Sequence, residues 1–340
     1  MTTDVYVATG TRTALGNFGG SLKDRPMTGL SAEIVGACIE RSGASPENFD
    51  HIVFTTTCPT DKDSLFAARV VGMKGGLPAD AAALDVSRAC ASGLQAIISA
   101  GQQVATGQSQ LAIAAGAEMF SRAPFAVTTS RWGNARGHQQ LEDMLEWCYR
   151  CPFSLEYMGD TAENLAAKYG YDRSPMDEYA VQSQARALAA IESGFLARQI
   201  HPVLVPEGKS SRTFCIDESP RAGITVERLA RLAPAFQADG KVTAGNASGV
   251  TDGAAAIPVG SKESLMSAGI KPIARIVDWA VVGVEPSLMG HGPVPAIEQC
   301  LRRTGQAISD IDYFEINEDF AVVNLHVEAQ VGITRDSPNH

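Results

Sequence analysis

The 340 residues are 45% hydrophobic and 19% charged, the balance of a globular chain long enough for two or three cores. A net charge of −10 argues against nucleic acid and anionic membrane as partners, and no apolar run reaches the ~18 residues that span a bilayer. Seven cysteines, odd in number and dispersed, imply no disulfide framework; with no basic-then-apolar leader pattern at the start, they point to the reducing cytoplasm.

The chain opens on a short β-rich run at 4–8 and a glycine-rich turn region at 10–21. Ile34, Val35, Cys38 and Ile39 have helical spacing, and HIVFTTT at 51–57 reads as a buried strand. A helix at 64–71 follows, then a strand at 82–86 that runs into a tight turn at Cys90-Ala91-Ser92-Gly93. The next stretch has Leu94, Ile97, Ile98, Val104 and Ala105 on one helical face and Ala96, Ser99, Ala100 and Gly101 opposite. A helix with so little charge is expected to lie buried between two layers. A strand at 111–115 is expected to end at Gly116.

Residues 121–240 differ, being richer in charge, tryptophan and proline. Two helices are predicted there, at 161–169 and 175–193, the second with Ser174 as N-cap and Pro175 at N1. The rest of that segment, to Gly240, reads as loop. Strand and helix alternate again afterwards: strands at 254–259, 270–284 and 313–317, helices at 261–267, 294–303 and 321–330. The alternation argues for α/β layers carrying an insertion.

Four stretches carry candidate chemistry. Cys90 precedes a helix, where unpaired N–H groups and the dipole favour a thiolate; by position alone it is either a nucleophile or a core filler. The glycines and short side chains of 242–249 allow close approach to a ligand or simply turn the chain. Gly-His-Gly at 290–292 opens a helix, either an anion site or a plain helix entry. Asn317, Glu318 and Asp319 stand where a strand is predicted to run into a helix, as ligand contacts or as a cap complementing the dipole. Cys148 and Cys151 form a lone C-x-x-C with no second ligand pair nearby, so no metal site is expected.

Taken together, RTALG at 12–16, CASGLQA at 90–96, GAEMFS at 116–121, MGDTAE at 158–163, VTAGNASG at 242–249, MGHGPVP at 289–295 and NEDF at 317–320 resemble the thiolases, the acetyl-CoA acetyltransferase and β-ketothiolase family. The resemblance runs over essentially the whole chain. It implies a fold of duplicated αβαβα layers with an inserted loop domain and an incomplete second half. The N-terminal half is expected at 1–120 and 250–269, the inserted domain at 121–249 and the C-terminal half at 270–340. The implied activity makes or cleaves β-ketoacyl-CoA through an acyl intermediate on Cys90. The implied partners are acyl-CoA and CoA, with no cofactor beyond the thioester, in a homodimer or homotetramer.

By resemblance, Asn317 holds a water in an oxyanion hole, and Ala244 and Ser248 contact the pantetheine arm. Met158, Met289 and Phe320 match the wall of the acyl pocket. Arg221 matches a residue near the nucleotide end of CoA; Arg228 and Arg231 lie nearby and would supply the basic patch that an acidic chain needs. The family's Gly-His-Pro and Cys-x-Gly-Gly motifs, which supply a base and an acid, do not occur in these residues. That absence predicts weak condensing activity, losses of about 10²–10⁴-fold accompanying a missing acid or base; the alternative is a thiolase-like protein that binds CoA or a partner without condensing. His291, at a position usually apolar in the family, is a candidate substitute base. Ala91, Tyr157 and Asp319 also depart from the family pattern.

Overall fold

A computed structural model describes residues 3–132 and 136–333. The chain runs through β1 (Val5–Ala8), β2 (Thr11–Arg12), β3 (Gly16–Asn17), α1 (Met27–Ser42), β4 (His51–Thr55), α2 (Ala67–Lys74), β5 (Ala82–Val86), α3 (Ser92–Ala105) and β6 (Leu111–Met119). It continues through β7 (Phe125–Ala126), β8 (Glu142–Asp143), α4 (Met144–Tyr149), α5 (Met158–Tyr169), α6 (Arg173–Glu192), β9 (Val203–Glu207), β10 (Ser210–Phe214) and α7 (Val226–Leu229). Then come β11 (Thr251–Ser261), α8 (Lys262–Ser267), β12 (Pro272–Arg275), α9 (Pro293–Thr304) and α10 (Ala321–Val331).

The chain divides into two compact units. The first comprises Met1–Cys148, Gly194–Ser219 and Val250–Ile276; the second comprises Tyr149–Ser193, Pro220–Gly249 and Val277–His340.

The first unit is built on a mixed sheet of order β12-β1-β11-β6-β4-β5, with β2 and β3 paired to β11. Strand β4 lies parallel to both β5 and β6, and all five of its residues are buried. That burial is why its sequence is an apolar run and not an alternation. Strand β6 continues through Gly116 to Met119, past the end predicted for it. Gly116 belongs in the strand because a β-carbon there would sit 2.6 Å from Thr55 Cγ2 of β4. On one face α1 buries Ile34, Val35, Cys38 and Ile39, as their spacing predicts, in a core with Phe49, Phe54, Ile113 and Met119.

The other face carries α3, and here the prediction fails. The buried side of α3 is the small one, Ala96, Ser99, Ala100 and Gly101 with Val104, while Leu94 is 68% exposed. Small side chains let the helix axis approach the sheet closely: a β-carbon on Gly101 would be 3.3 Å from Val5 Cγ1. Leu94 is left outward within this unit, while Ile97 and Ala105 pack partly against the core.

Residues 194–219 also differ from the predicted loop. They form the antiparallel β9–β10 hairpin, turning at Gly208 with φ 61°. The main chain of Arg12 is hydrogen-bonded to Gln199 O and His201 N at 2.9 and 2.7 Å. The Arg12 guanidinium makes a bidentate pair with Asp217 at 2.8 and 2.9 Å, and Asp217 also accepts from Leu15 N.

The second unit has no ladder strand among the described residues. Helices α5, α6 and α10 bury Ala162, Leu165, Met176, Tyr179, Val322, Val323 and Leu325 together. The predicted N-cap of α6 is corrected: the helix starts earlier, with Asp172 at the N-cap position making no side-chain cap bond, and Ser174 lies inside its first turn, donating to Glu178 at 3.1 Å. The strand predicted at 270–284 contracts to β12, and none forms at 313–317, where no neighbouring strand takes up its backbone groups.

Candidate active site

In the first unit the chain leaves edge strand β5 and turns sharply before α3. Ala89 has φ 45°, a left-handed conformation that a residue with a β-carbon rarely adopts. Two backbone bonds close the turn, Ala91 N to Arg88 O at 3.1 Å and Ser92 N to Ala89 O at 3.0 Å. Ser92 Oγ accepts from Arg88 N at 2.7 Å; Arg88 Nε donates to Gln95, and Gln95 donates to Ser99. From the sheet side, Thr57 Oγ1 reaches Ala89 O at 3.5 Å. Thr57 is held in turn by Glu118, whose carboxylate accepts from the backbone N–H groups of Thr57 and Cys58. Burial raises the Glu118 carboxyl above the usual range despite those donors. The outcome is an exposed Cys90 two residues before α3, whose N-terminus has no side-chain cap and no acidic residue in its first turn. Backbone strain overdetermined by its surroundings commonly marks a functional position.

In the second unit, 242–249 and 317–320 are laced together. Ser248 N donates to Asp319 O and Ala321 N to Asn246 O, both at 2.9 Å, and Ala247 bridges Phe320. Asn246 stiffens the loop from inside: its Oδ1 accepts from Thr243 N at 2.8 Å, and its amide donates to Asp177 at 2.9 Å. At Gly245 the loop passes close to a helix: a β-carbon there would meet Leu229 Cδ2 at 2.6 Å. Met158, Met289 and Leu288 pack against the same core that Phe320 joins, and Phe236 meets Phe320 edge-on at 6.1 Å. Thus Phe320, Met158 and Met289 share one cluster, Ser248 is tied to it through Asp319, and Ala244 is exposed on the same loop.

Asn317 is exposed, and its amide donates to Asp319 Oδ1 at 2.7 Å. The capping role read for Glu318 and Asp319 is corrected. Phe320 is the N-cap of α10 and makes no side-chain cap bond. Glu318 instead accepts from Tyr179 Oη at 2.8 Å and Ser183 Oγ at 2.6 Å. Arg221, Arg228 and Arg231 are all exposed; Arg221 N donates to Gln184, and Arg228 Nη1 to Gly223 O at 2.6 Å.

Among the described residues no three His, Cys, Asp or Glu side chains gather to hold a metal ion. Cys148 is hydrogen-bonded to Cys58, and burial pushes the Cys58 thiol up to about 12. Sequence reasoning missed Tyr171 and His326, which hydrogen-bond in series to His291. The readable signal was an asparagine and a histidine inside the apolar first two turns of AVVNLHVEAQV.

Two family models match in tandem, the thiolase N-terminal domain over residues 5–263 and the thiolase C-terminal domain over 270–340. The chain belongs to the thiolase family. It is 41% identical to the beta-ketothiolase BktB of Cupriavidus necator, over 98% of this chain and 85% of that protein. Its thiolase fold superposes on the acetyl-CoA acetyltransferase of Bacillus anthracis with a TM-score of 0.94 and 38% identity, covering 99% of this chain and 85% of that one. The human mitochondrial 3-ketoacyl-CoA thiolase, solved in complex with CoA, matches with a TM-score of 0.93 and 36% identity, over 98% of this chain and 84% of that one. This thiolase is an acyltransferase by family, and no helix among its described residues is long and apolar enough to cross a membrane.

Proposed function

We propose that this thiolase transfers acyl groups between CoA thioesters through Cys90. The thiolate attacks the thioester carbonyl, the carbon–sulfur bond to CoA breaks, and CoA leaves as its thiolate, giving acyl-Cys90. In the condensing direction the α-carbon of a second acyl-CoA loses a proton and attacks the acyl-Cys90 carbonyl. A carbon–carbon bond forms and the Cys90 thiolate departs. Cleavage is the reverse, with the CoA thiol taking the acyl group from Cys90.

The observation that carries this reading is the strained turn at Ala89, which delivers Cys90 to an uncapped helix N-terminus within a chain matched by both thiolase domain models. A helix N-terminus favours a thiolate through its dipole and unpaired N–H groups. In the second unit, Met158, Met289 and Phe320 are assigned to the acyl pocket, Ala244 and Ser248 to the pantetheine arm, and Asn317 to an oxyanion-stabilising water. The packing of Met158, Met289 and Phe320 in one cluster, with Ser248 N bonded to Asp319 O beside it, supports that assignment. Arg221 and Arg228, exposed with Arg231 on an acidic chain, suit the nucleotide phosphates.

The same reading assigns the N-terminal half to 1–120 and 250–269, the inserted domain to 121–249 and the C-terminal half to 270–340. It takes the CoA thioester as substrate, with no further cofactor. A homodimer or homotetramer is supported by the unpaired edge of β5 and by exposed Leu65, Phe66 and Leu94 in the same unit. The dispersed cysteines support the cytoplasm. The test is thiolysis of acetoacetyl-CoA by the full chain, with intact-mass detection of the acyl-enzyme. Acyl transfer that depends on Cys90 is expected; CoA binding without any acylation would favour a non-condensing binder.

A further inference from the structure

Helix α6 holds more than the core of the second unit. At helical spacing Asp177 and Gln184 fall two turns apart on one face, and Tyr179 and Ser183 one turn apart on another. On the first face Asp177 is 1% exposed, and its Oδ1 accepts from Asn246 Nδ2 at 2.9 Å. The Asn246 amide can face only one way, because its Oδ1 accepts from the Thr243 backbone N–H and its Nδ2 also donates to Lys241 O at 3.2 Å. Gln184 Oε1 accepts from Arg221 N at 2.8 Å. On the second face Tyr179 Oη and Ser183 Oγ donate to the two carboxylate oxygens of Glu318 at 2.8 and 2.6 Å. Donor and acceptor are fixed in each case by the chemical type of the groups. All of these residues lie within the second unit.

The segments held in this way carry the residues assigned above to substrate. Ala244 and Ser248 flank Asn246, Asn317 precedes Glu318, and Arg221 is gripped by its own backbone. Loops without a ladder are ordinarily the least stable parts of a fold. Here each is pinned beside its assigned residue to one 20-residue helix. That helix is itself tied down at its start, where Arg173 donates to Asp177 at 3.2 Å and to Leu229 O at 2.6 Å. Such pinning matters to chemistry, since a misplacement of about 1 Å can cost ~10²-fold in rate.

We propose that Asp177, Tyr179, Ser183 and Gln184 are positioning residues, and that α6 is the common mount from which they set Ser248, Asn317 and Arg221 for a CoA thioester. This rests on the acyl-transfer reading above. The two faces divide the labour. Tyr179 and Ser183 hold the neighbour of Asn317, so they govern kcat. Asp177 and Gln184 hold the pantetheine and nucleotide contacts, so they govern KM for CoA. In this scheme the four act through the segments they grip.

Thiolysis kinetics and amide hydrogen exchange on the full chain test the mount together, with melting curves for each variant. Tyr179→Phe combined with Ser183→Ala should lower kcat roughly tenfold while KM for CoA stays within about twofold. Ser183→Ala alone should show the same split at about threefold, and Ser183→Thr, which keeps the hydroxyl, should recover most of kcat. Asp177→Ala should raise KM for CoA roughly tenfold with a smaller fall in kcat. Asp177→Asn, whose carbonyl can still accept from Asn246, should reverse most of that rise. If Asp177→Ala does not fold, Gln184→Ala, at a half-buried position, makes the same KM prediction at about threefold. Exchange should quicken chiefly in peptides covering 317–321 for the first face and 242–249 for the second. Unchanged kcat in the Tyr179 and Ser183 variants overturns the proposal, as do variants of the two faces that shift kcat and KM alike. Absence of acyl-Cys90 in the wild type would instead overturn the acyl-transfer reading. The mount is then judged by exchange, and unchanged exchange in both loops overturns it.

Discussion

The two units handle similar sequence patterns differently. In the first, HIVFT at 51–55 lies between two parallel neighbours and is wholly buried. In the second, Ile311, Phe314 and Ile316 also make an apolar, β-prone run, yet that run forms no strand and is half-exposed. The difference lies in the partners. A backbone becomes a strand when adjacent chains take up its N–H and C=O groups, and side-chain pattern alone cannot supply them. The first unit is thus a sheet frame that holds the Cys90 turn. The second is a helix-and-loop assembly whose loops at 242–249 and 317–320 are fixed by side-chain bonds such as those of Asn246 and by single bridges such as Ala247 with Phe320.

The sharpest break of this comparison is chemical. Cys90→Ala should lower acyl transfer by about 10⁴-fold or more while leaving the melting temperature near that of the wild type, because the side chain is exposed and the turn is held by its neighbours. Activity assays beside thermal melts check both halves.

Next come the frame and its long-range tie. Phe54→Ala should cost about 3–5 kcal/mol in chemical denaturation, since this fully buried ring fills the centre of the larger core. Asp217→Ala should cost about 3 kcal/mol, because it leaves the Arg12 guanidinium without the carboxylate it grips at 2.8 and 2.9 Å. A loss below about 1 kcal/mol for both would mean that the sheet unit is not the frame.

The second unit should respond more locally. Gly159→Ala would drive a β-carbon into the Phe236 ring, which packs edge-on against Phe320. A cost of about 1–3 kcal/mol is expected, with a rise in KM larger than any fall in kcat.

The smallest effect is one of pH. Burial raises the folded-state pKa of Glu118 above its unfolded value. The folded protein therefore holds the extra proton, and stability falls as pH rises from about 4.3, the ordinary glutamate value, through the raised value. Glu118→Gln should remove that slope, so the wild type loses ground to the variant as pH rises across that window. Parallel stability curves for the two would contradict the assignment.

Much of this was legible in sequence. The β4 run, the spacing of Ile34 to Ile39 in α1 and the motif around Cys90 pointed to an α/β fold and a thiolase before any geometry. Three things were not. The buried face of α3 is the small-residue side, which lets the helix approach the sheet closely, whereas its low charge alone suggested burial on both sides. The β9–β10 hairpin contains Pro206 and a lysine- and serine-rich turn, so its alternation is faint. The pairing of Tyr171, His326 and His291 joins residues 155 and 35 positions apart, beyond any local pattern.

The central claim is that Cys90 carries the acyl group. Intact-mass and peptide-level spectrometry of the full chain after brief exposure to acetyl-CoA test it most directly. The account predicts a mass gain of one acetyl group, placed on Cys90, absent in Cys90→Ala and removed by added CoA. An acetyl group on another residue, or none while acetoacetyl-CoA is still cleaved, would contradict it.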